Sequence, residues 1–471
     1  MRPAGALLLL PLLLAAWPAA AADAPCIDCL SFRLDPPEVV RGPFPDELDN
    51  AFTALHLRDG GWRGFSANGA TYAIDGASLN DMGGARRTVL EPGPKGSDAE
   101  CGRWLNTVLP VGDALYGLVH QEAGCDYGHG GQTHKSVAIA VSHDQGLSWD
   151  DLGTVISGAD AATPGKGTGE GDCTMVDGQD GYAYAYCLRL SDYKTIVARA
   201  PLTALGPGNW RKYDNGRWSS PGLGGGATSI GFVGVASAYF RDPGAVALLV
   251  ADPWFHGVRL SLSTDKVHFT DLPEPLIPLD ATDWERPAPS ELVAYIGVLD
   301  PETGANTVGE DFVLATAFLP PGATFADRYL ALQRVHMRQG EPATGPQVGV
   351  ALARWSLAGG GSRTTTGPVI DKDAAIDSTL GYLMTKAPDG APSVKLEECA
   401  LGHGYRLEID GTCALEGATR LRTAGWAYDD RRPDTRPLYR CAGVHGRFVS
   451  NDPACEGRGD VEMRLGFALA E

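Results

Sequence analysis

The sequence is poor in positive charge. It holds 39 Lys and Arg against 58 Asp and Glu, a formal net charge of −19 at pH 7. A surface this acidic repels phosphate backbones and anionic lipid headgroups, which argues against nucleic acid and membrane partners. Beyond the first residues, no stretch stays apolar and uncharged for the roughly 20 residues that a membrane span needs. N-x-[S/T] sequons are absent, so nothing signals N-glycosylation. No Walker A sequence, dinucleotide fingerprint or G-x-S-x-G elbow occurs in a fitting context. The Gly-rich run from Gly222 to Gly226 lacks the following Lys and Ser/Thr and reads as a turn. Helical periodicity over three turns is missing too, which excludes a helical bundle.

What is abundant is glycine and proline, 61 and 33 residues. They punctuate short apolar segments such as Thr107–His120, Ser136–Ser142, Tyr182–Leu190, Val246–Ala251 and Phe312–Phe318. Short apolar runs between turn residues predict antiparallel sheet, so the fold class is all-β. At the N-terminus, Arg2 is followed by an apolar run from Ala4 to Ala16 and by small residues at Ala19 to Ala22. This is the pattern of a secretory signal peptide over residues 1–22, cut near Ala22, and it predicts a secreted or periplasmic protein. The 10 cysteines then reach an oxidising compartment. Sequence leaves their connectivity open. The simplest set is local: Cys26–Cys29, Cys101–Cys125, Cys173–Cys187, Cys399–Cys413 and Cys441–Cys455.

One motif stands out. Ser142-His143-Asp144-Gln145-Gly146-Leu147-Ser148-Trp149 matches S-x-D-x-G-x-[T/S]-W, the Asp box. Its Ser and Asp can bond the turn's own backbone, its Gly permits positive φ, and its Trp packs beneath. Ser142, Asp144, Gly146 and Trp149 are therefore assigned structural roles. A degenerate copy runs from Ser263 to Phe269, without the Gly. With these motifs the chain resembles secreted β-propeller proteins carrying sialidase-type Asp boxes. Lys135–Ser142, Gly169-Glu170-Gly171-Asp172 and Tyr182-Ala183-Tyr184 also look like five-bladed arabinanase and β-xylosidase glycosidases. The resemblance implies a five- or six-bladed propeller over residues 23–378. It does not extend to the sialidase F-R-I-P phrase, whose nearest echo is Ser31-Phe32-Arg33-Leu34-Asp35-Pro36.

The C-terminal part repeats. Cys399 and Cys413 map onto Cys441 and Cys455, and Gly425-Trp426 onto Gly466-Phe467, with a period of about 42 residues. The closing phrase occurs once more at Leu380-Gly381-Tyr382-Leu383. Residues 379–471 are expected to form a small disulfide-bridged β-repeat module. Pro437–Arg440, Arg447–Ser450 and Leu465–Phe467 resemble phrases of trefoil-like modules, which implies a lectin-like or surface-accessory role; the alternative is a structural stalk.

Hydrolysis of a glycoside needs two carboxyl groups across the scissile bond. Context singles out Glu122, at the end of a strand-like run; Asp172, in Gly-x-Gly punctuation; and Glu285, in Asp283-Trp284-Glu285-Arg286-Pro287. Trp284 offers a stacking face, and Arg286, His120 and His134 complete the expected substrate contacts. His120, His129 and His134 lack the helical i, i+4 spacing of zinc sites, so no metal is assigned. No cofactor is expected; calcium is an option at Asp/Gly turns such as Asp177–Gly181. The expected function is a secreted carbohydrate-active protein, a glycoside hydrolase acting through paired carboxylates. The alternative is a non-catalytic glycan-binding or attachment protein that keeps the propeller as a scaffold.

Overall fold

The computed structural model describes residues 25–44, 46–126, 132–232, 234–252, 257–280, 284–402, 404–415 and 417–471. The signal-peptide segment and His129 lie outside these residues. The chain is almost wholly β; the α-helix among the described residues is the single turn Thr412–Leu415.

Antiparallel strands gather into successive units. The first unit runs Thr53–His56, Trp62–Asn68, Ala70–Gly76 and Arg86–Leu90. The second runs from Gly102–Val111 to Asp150–Ser157, and the third from Thr168–Asp177 to Arg217–Pro221. The fourth starts at Ala236–Phe240 and the fifth at Leu292–Leu299. Tyr329–Gln339 of the fifth unit takes as its next neighbour the N-terminal strand Leu30–Leu34, from the other end of the chain. The five first strands contact one another in cyclic order, the last touching the first.

Apolar alternation explains the ring. Each sheet is hydrophobic on both faces and buries them against its neighbours. Phe65 and Ala73 of the first unit meet Leu105 and Val119 of the second. Leu118 and Ile139 meet Met175 and Ile196. Tyr184 and Tyr186 meet Val246 and Leu248. Leu260 and Leu262 meet Phe312 and Leu314, and Val313 and Leu330 return to Phe52 and Ile74. Sheets packed face to face around one axis form a β-propeller.

The turn carrying the Ser142–Trp149 motif is held as its residue types suggest. Ser142 Oγ accepts from the Gly146 amide at 2.8 Å, and Asp144 Oδ1 accepts from the amides of Leu147 and Ser148. Trp149 Nε1 donates to the Gly146 carbonyl oxygen. The degenerate copy repeats the pattern, with Ser263 Oγ accepting from the Lys266 amide. Lys266 thus takes the place of Gly146 and adopts a φ of 71°.

All ten cysteines form the five local bridges named above. Disulfides of this number form and persist in oxidising compartments. No helix among the described residues is long and apolar enough to cross a membrane.

The strands after Val348 form three similar groups. Each has a long strand, a short return strand and a second long strand: Val348–Ser356, Ser362–Thr365 and Ala375–Met384; Ser393–Leu401, Gly404–Ile409 and Thr419–Tyr428; Thr435–Gly443, Gly446–Ser450 and Gly459–Leu469. The first group includes residues 348–378, which the sequence reading placed with the propeller. Its repeat signal is weak because Trp355 stands where the other groups carry Cys399 and Cys441. The groups meet where Gly381, Gly425 and Gly466 take φ values of 129°, 143° and 146°. A Cβ on Gly381 would lie 2.6 Å from Leu469 O; on Gly425, 2.8 Å from Met384 O; on Gly466, 2.9 Å from Tyr428 O. Each glycine therefore admits the backbone of the next group, and the three contacts close a cycle.

Gly425→Ala is expected to lower stability by about 2–3 kcal/mol, through left-handed strain and a backbone clash. Gly340→Ala, in open space, serves as a near-neutral control. Chemical denaturation of both variants checks this; equal midpoints would refute the close-approach argument.

Candidate active site

A cavity of about 920 Å³ opens where the first strands of the units converge. Bulges place its polar side chains. Register slips occur between Leu105 and Thr107, between Gly171 and Thr174, and between Ala294 and Gly297. An extra residue breaks the strict alternation of a strand and re-aims side chains. Asn106, Asp172 and Tyr295 sit at these bulges and all line the cavity. Asp172 and Tyr295 take positive φ, 51° and 52°. Such backbone strain in non-glycine residues is concentrated at functional sites.

Lys135 lies at the centre of the charge cluster. Its Nζ is 2.8 Å from Asp172 Oδ2 and 3.4 Å from Glu122 Oε1. His120 braces the same pair. The Asp172 amide donates to His120 Nδ1 at 3.0 Å, which leaves the ring proton on Nε2. Nε2 faces Glu122 Oε1 at 3.1 Å and Asp172 Oδ1 at 3.7 Å. Gly171 makes room for this ring, since a Cβ there would stand 2.6 Å from His120 Cε1. Burial pushes the Asp172 carboxyl up, but Lys135 and His120 outweigh burial and hold it below the usual range. Burial likewise disfavours the Lys135 ammonium, and the two carboxylates more than restore it.

Asp49, just before the first inner strand, behaves differently. Its Oδ1 accepts from the Tyr295 hydroxyl and from Arg328 Nη2, both at 3.0 Å. Burial nevertheless raises its carboxyl above the usual value; Arg328 and Tyr295 oppose that, and the charges of Glu122 and Asp172 add to it. Burial and the neighbouring carboxylates push the Tyr295 hydroxyl well up, so it serves Asp49 as a donor.

The remaining lining is aromatic and partly unsatisfied. Trp104 packs at a tilt against His120, with centroids 5.3 Å apart. Trp104 Nε1 and Asn106 Oδ1 are buried without a hydrogen-bond partner. One is a donor and one an acceptor, and both residues line the cavity. Trp284 lines another wall, edge-on to Tyr295.

Of the residues singled out from sequence, the cavity gathers Glu122, Asp172, His120 and Trp284. Glu285 is exposed and outside the lining, in a bend that follows the half-buried Trp284. Arg286 donates to the carbonyl oxygens of Ser290 and Pro320 instead. His134 bonds Thr168 Oγ1 and is also outside the lining. Glu170 turns from the cavity to Lys212, at 2.6 Å. Sequence reasoning missed Asp49, Lys135, Asn106 and Tyr295. Glu100 with Cys101 and Cys125, and Glu397 with Cys399 and Cys413, come within metal-ligand spacing, but each pair of sulfurs is already joined as a disulfide.

No protein-family profile and no curated protein matches the chain. Solved structures overlap it loosely. An α-L-arabinofuranosidase from Lactobacillus brevis aligns with a TM-score of 0.41 and 12% identity, over 61% of this chain and 90% of its own. The catalytic domain of a GH62 α-L-arabinofuranosidase from Coprinopsis cinerea gives 0.43 and 11%, over 66% and 98%. A GH43 β-1,3-galactosidase gives 0.40 and 15%, over 68% and 93%. Superpositions this loose assign neither family nor activity.

Lys135→Met leaves two partly buried carboxylates without their cation, at a cost of about 3 kcal/mol at neutral pH. Asp172 is depressed in the folded state, so its contribution is present at neutral pH and is lost as pH falls through the folded value. The variant's loss of Tm should therefore shrink as pH falls below the ordinary aspartate range. A deficit independent of pH would contradict the charge account.

Proposed function

We propose that the chain is a secreted glycoside hydrolase, released after cleavage near Ala22, with a five-bladed propeller whose axial cavity holds the reacting sugar. The C-terminal strands are read as a trefoil-like module beginning near Val348. The observation that carries the reading is a division of labour among carboxyl groups in one cavity. Asp172 and Glu122 share the Lys135 ammonium, while Asp49 is driven toward its neutral form. Environments that push neighbouring carboxyl groups apart separate acid from base.

In this reading Asp49 gives its proton to the glycosidic oxygen as the bond to the anomeric carbon breaks. Asp172 stabilises the positive charge that develops there and takes a proton from the attacking water, whose oxygen bonds the anomeric carbon. Asp172 then releases the proton it took to solvent, and solvent returns one to Asp49. Glu122 and His120 keep Lys135 and Asp172 in place. A sugar hydroxyl is both donor and acceptor, which matches the unpartnered Asn106 Oδ1 and Trp104 Nε1. Tyr193 and Phe232 line the cavity yet stay 53% and 54% exposed, offering stacking faces for further sugar units. The second reading, glycan binding without turnover, draws support from the same ion-pair network, because carboxylates tied to Lys135 and His120 also suit a structural role.

A panel of aryl glycosides and polysaccharides tests the choice. Asp49→Asn and Asp172→Asn should each lower kcat about 100-fold or more. On the active substrate, kcat/KM should fall on the acid side as Asp172 gains a proton, below the usual carboxylate range. On the alkaline side it should fall as Asp49 loses one, above that range. No hydrolysis of any substrate, with glycan-array binding retained, would favour the binding reading. Tyr193→Ala and Phe232→Ala should raise KM for polysaccharide and spare turnover of a small aryl glycoside. Equal losses on both substrates would contradict an outer stacking site.

A further inference from the structure

We propose that the C-terminal three-fold unit positions one wall of the axial cavity, by gripping at both ends the segment that carries Trp284. The grip comes from one strand, Thr419–Tyr428. At the upstream end, Arg420 Nη2 donates to Asp280 Oδ2 at 3.0 Å, and Thr423 Oγ1 donates to Asp280 Oδ1 at 2.8 Å. At the downstream end, Arg422 Nη1 lies 3.3 Å from Glu291 Oε2, with side-chain exposures of 5% and 6%. Glu291 immediately precedes Leu292–Leu299, the inner strand that carries Tyr295.

The two anchors differ in kind. Asp280 is exposed, and its carboxylate is bonded by several donors. Glu291 is buried, its Oε1 has no hydrogen-bond partner, and the Arg422 guanidinium stands beside its other oxygen. A buried carboxylate deprived of its cation must take a proton or move toward water. Movement at Glu291 carries to the cavity by two short routes. One is the strand itself, with Tyr295 four residues on. The other is packing, since Trp284 meets Tyr295 with centroids 6.1 Å apart and Phe325 at 5.5 Å. Tyr295 in turn donates to Asp49.

The C-terminal unit is well placed to hold still. It continues the sheet of the fifth unit, because Leu30–Leu34 pairs in parallel with Val348–Ser356. Glu274 accepts from the amides of Gln347 and Val348 at this junction. Arg420, Arg422, Asp280 and Glu291 are all outside the cavity lining. They are positioning residues, and their effect passes through Trp284 and Tyr295. The inference concerns the cavity wall and stands whether the cavity hydrolyses or only binds a glycan.

Fluorine NMR of the full chain labelled with fluorotryptophan tests it without a substrate. The Trp284 resonance is identified by its loss in Trp284→Phe. Arg422→Gln and Asp280→Asn should each shift or broaden that resonance. The Trp210 resonance, from a side chain buried in the third unit, should stay in place and report an intact fold. Arg420→Lys, which keeps the charge, should leave Trp284 closer to its original position than Arg420→Gln does. Should Arg422→Gln not fold, Asp280→Asn at the exposed anchor decides. An unmoved Trp284 resonance in a folded variant would overturn the proposal, as would equal shifts of Trp284 and Trp210.

Discussion

Two carboxylates can both stay ionised side by side in a partly buried site only if nearby positive charge offsets their repulsion. Lys135 meets that condition for Glu122 and Asp172, and the rest of the cavity follows from it. Asp172 is held down because Lys135 and His120 outweigh its burial, whereas burial drives Asp49 the other way in spite of Arg328. His120 supplies direction, with one ring nitrogen accepting from the Asp172 backbone and the other facing both carboxylates. Removing Lys135 takes away the ammonium that both carboxylates share.

The ring of sheets supplies the geometry that this cluster requires. Alternating apolar faces pack unit against unit and bring the first strands together at an axis. A regular strand would send every second residue there. The bulges at Asn106, Asp172 and Tyr295 change which residues arrive, and the positive φ of Asp172 and Tyr295 shows the backbone strain involved. Gly171 is the small residue that makes the arrangement feasible, because any side chain there would meet the His120 ring.

The sequence was legible wherever function and local chemistry coincide. Short apolar runs between glycines marked the strands, and the Ser142–Trp149 pattern marked a turn whose bonds are local. Equal cysteine spacings pointed to local bridges. Glu122 and Asp172 were visible because glycines stand close to each in sequence, although both lie inside strands, Ala114–Asp126 and Thr168–Asp177. Asp49 was hidden in Pro45-Asp46-Glu47-Leu48-Asp49, an acidic loop-like stretch in which Glu47 instead pairs with Arg41. Lys135 looked like the polar end of an apolar strand, and Tyr295 like a core residue of another. No sequence signal marks a bulge in Leu292–Leu299, where only one residue of register separates a core side chain from a cavity one. Trp284 and Glu285 show the converse: they are adjacent in sequence, yet only Trp284 lines the cavity while Glu285, in a bend, is exposed. The three-fold C-terminal unit was partly visible through its repeated Gly-aromatic phrase, but its first group lacks the cysteines that marked the others.

The account turns on the opposed protonation of Asp49 and Asp172, and carboxyl-carbon NMR titration of aspartate-labelled protein measures it directly. The Asp49 and Asp172 signals are identified by their loss in the corresponding Asn variants. The account predicts that Asp172 titrates below the ordinary aspartate range and Asp49 above it. Both carboxyls titrating in the ordinary range, or Asp49 titrating below Asp172, would contradict it.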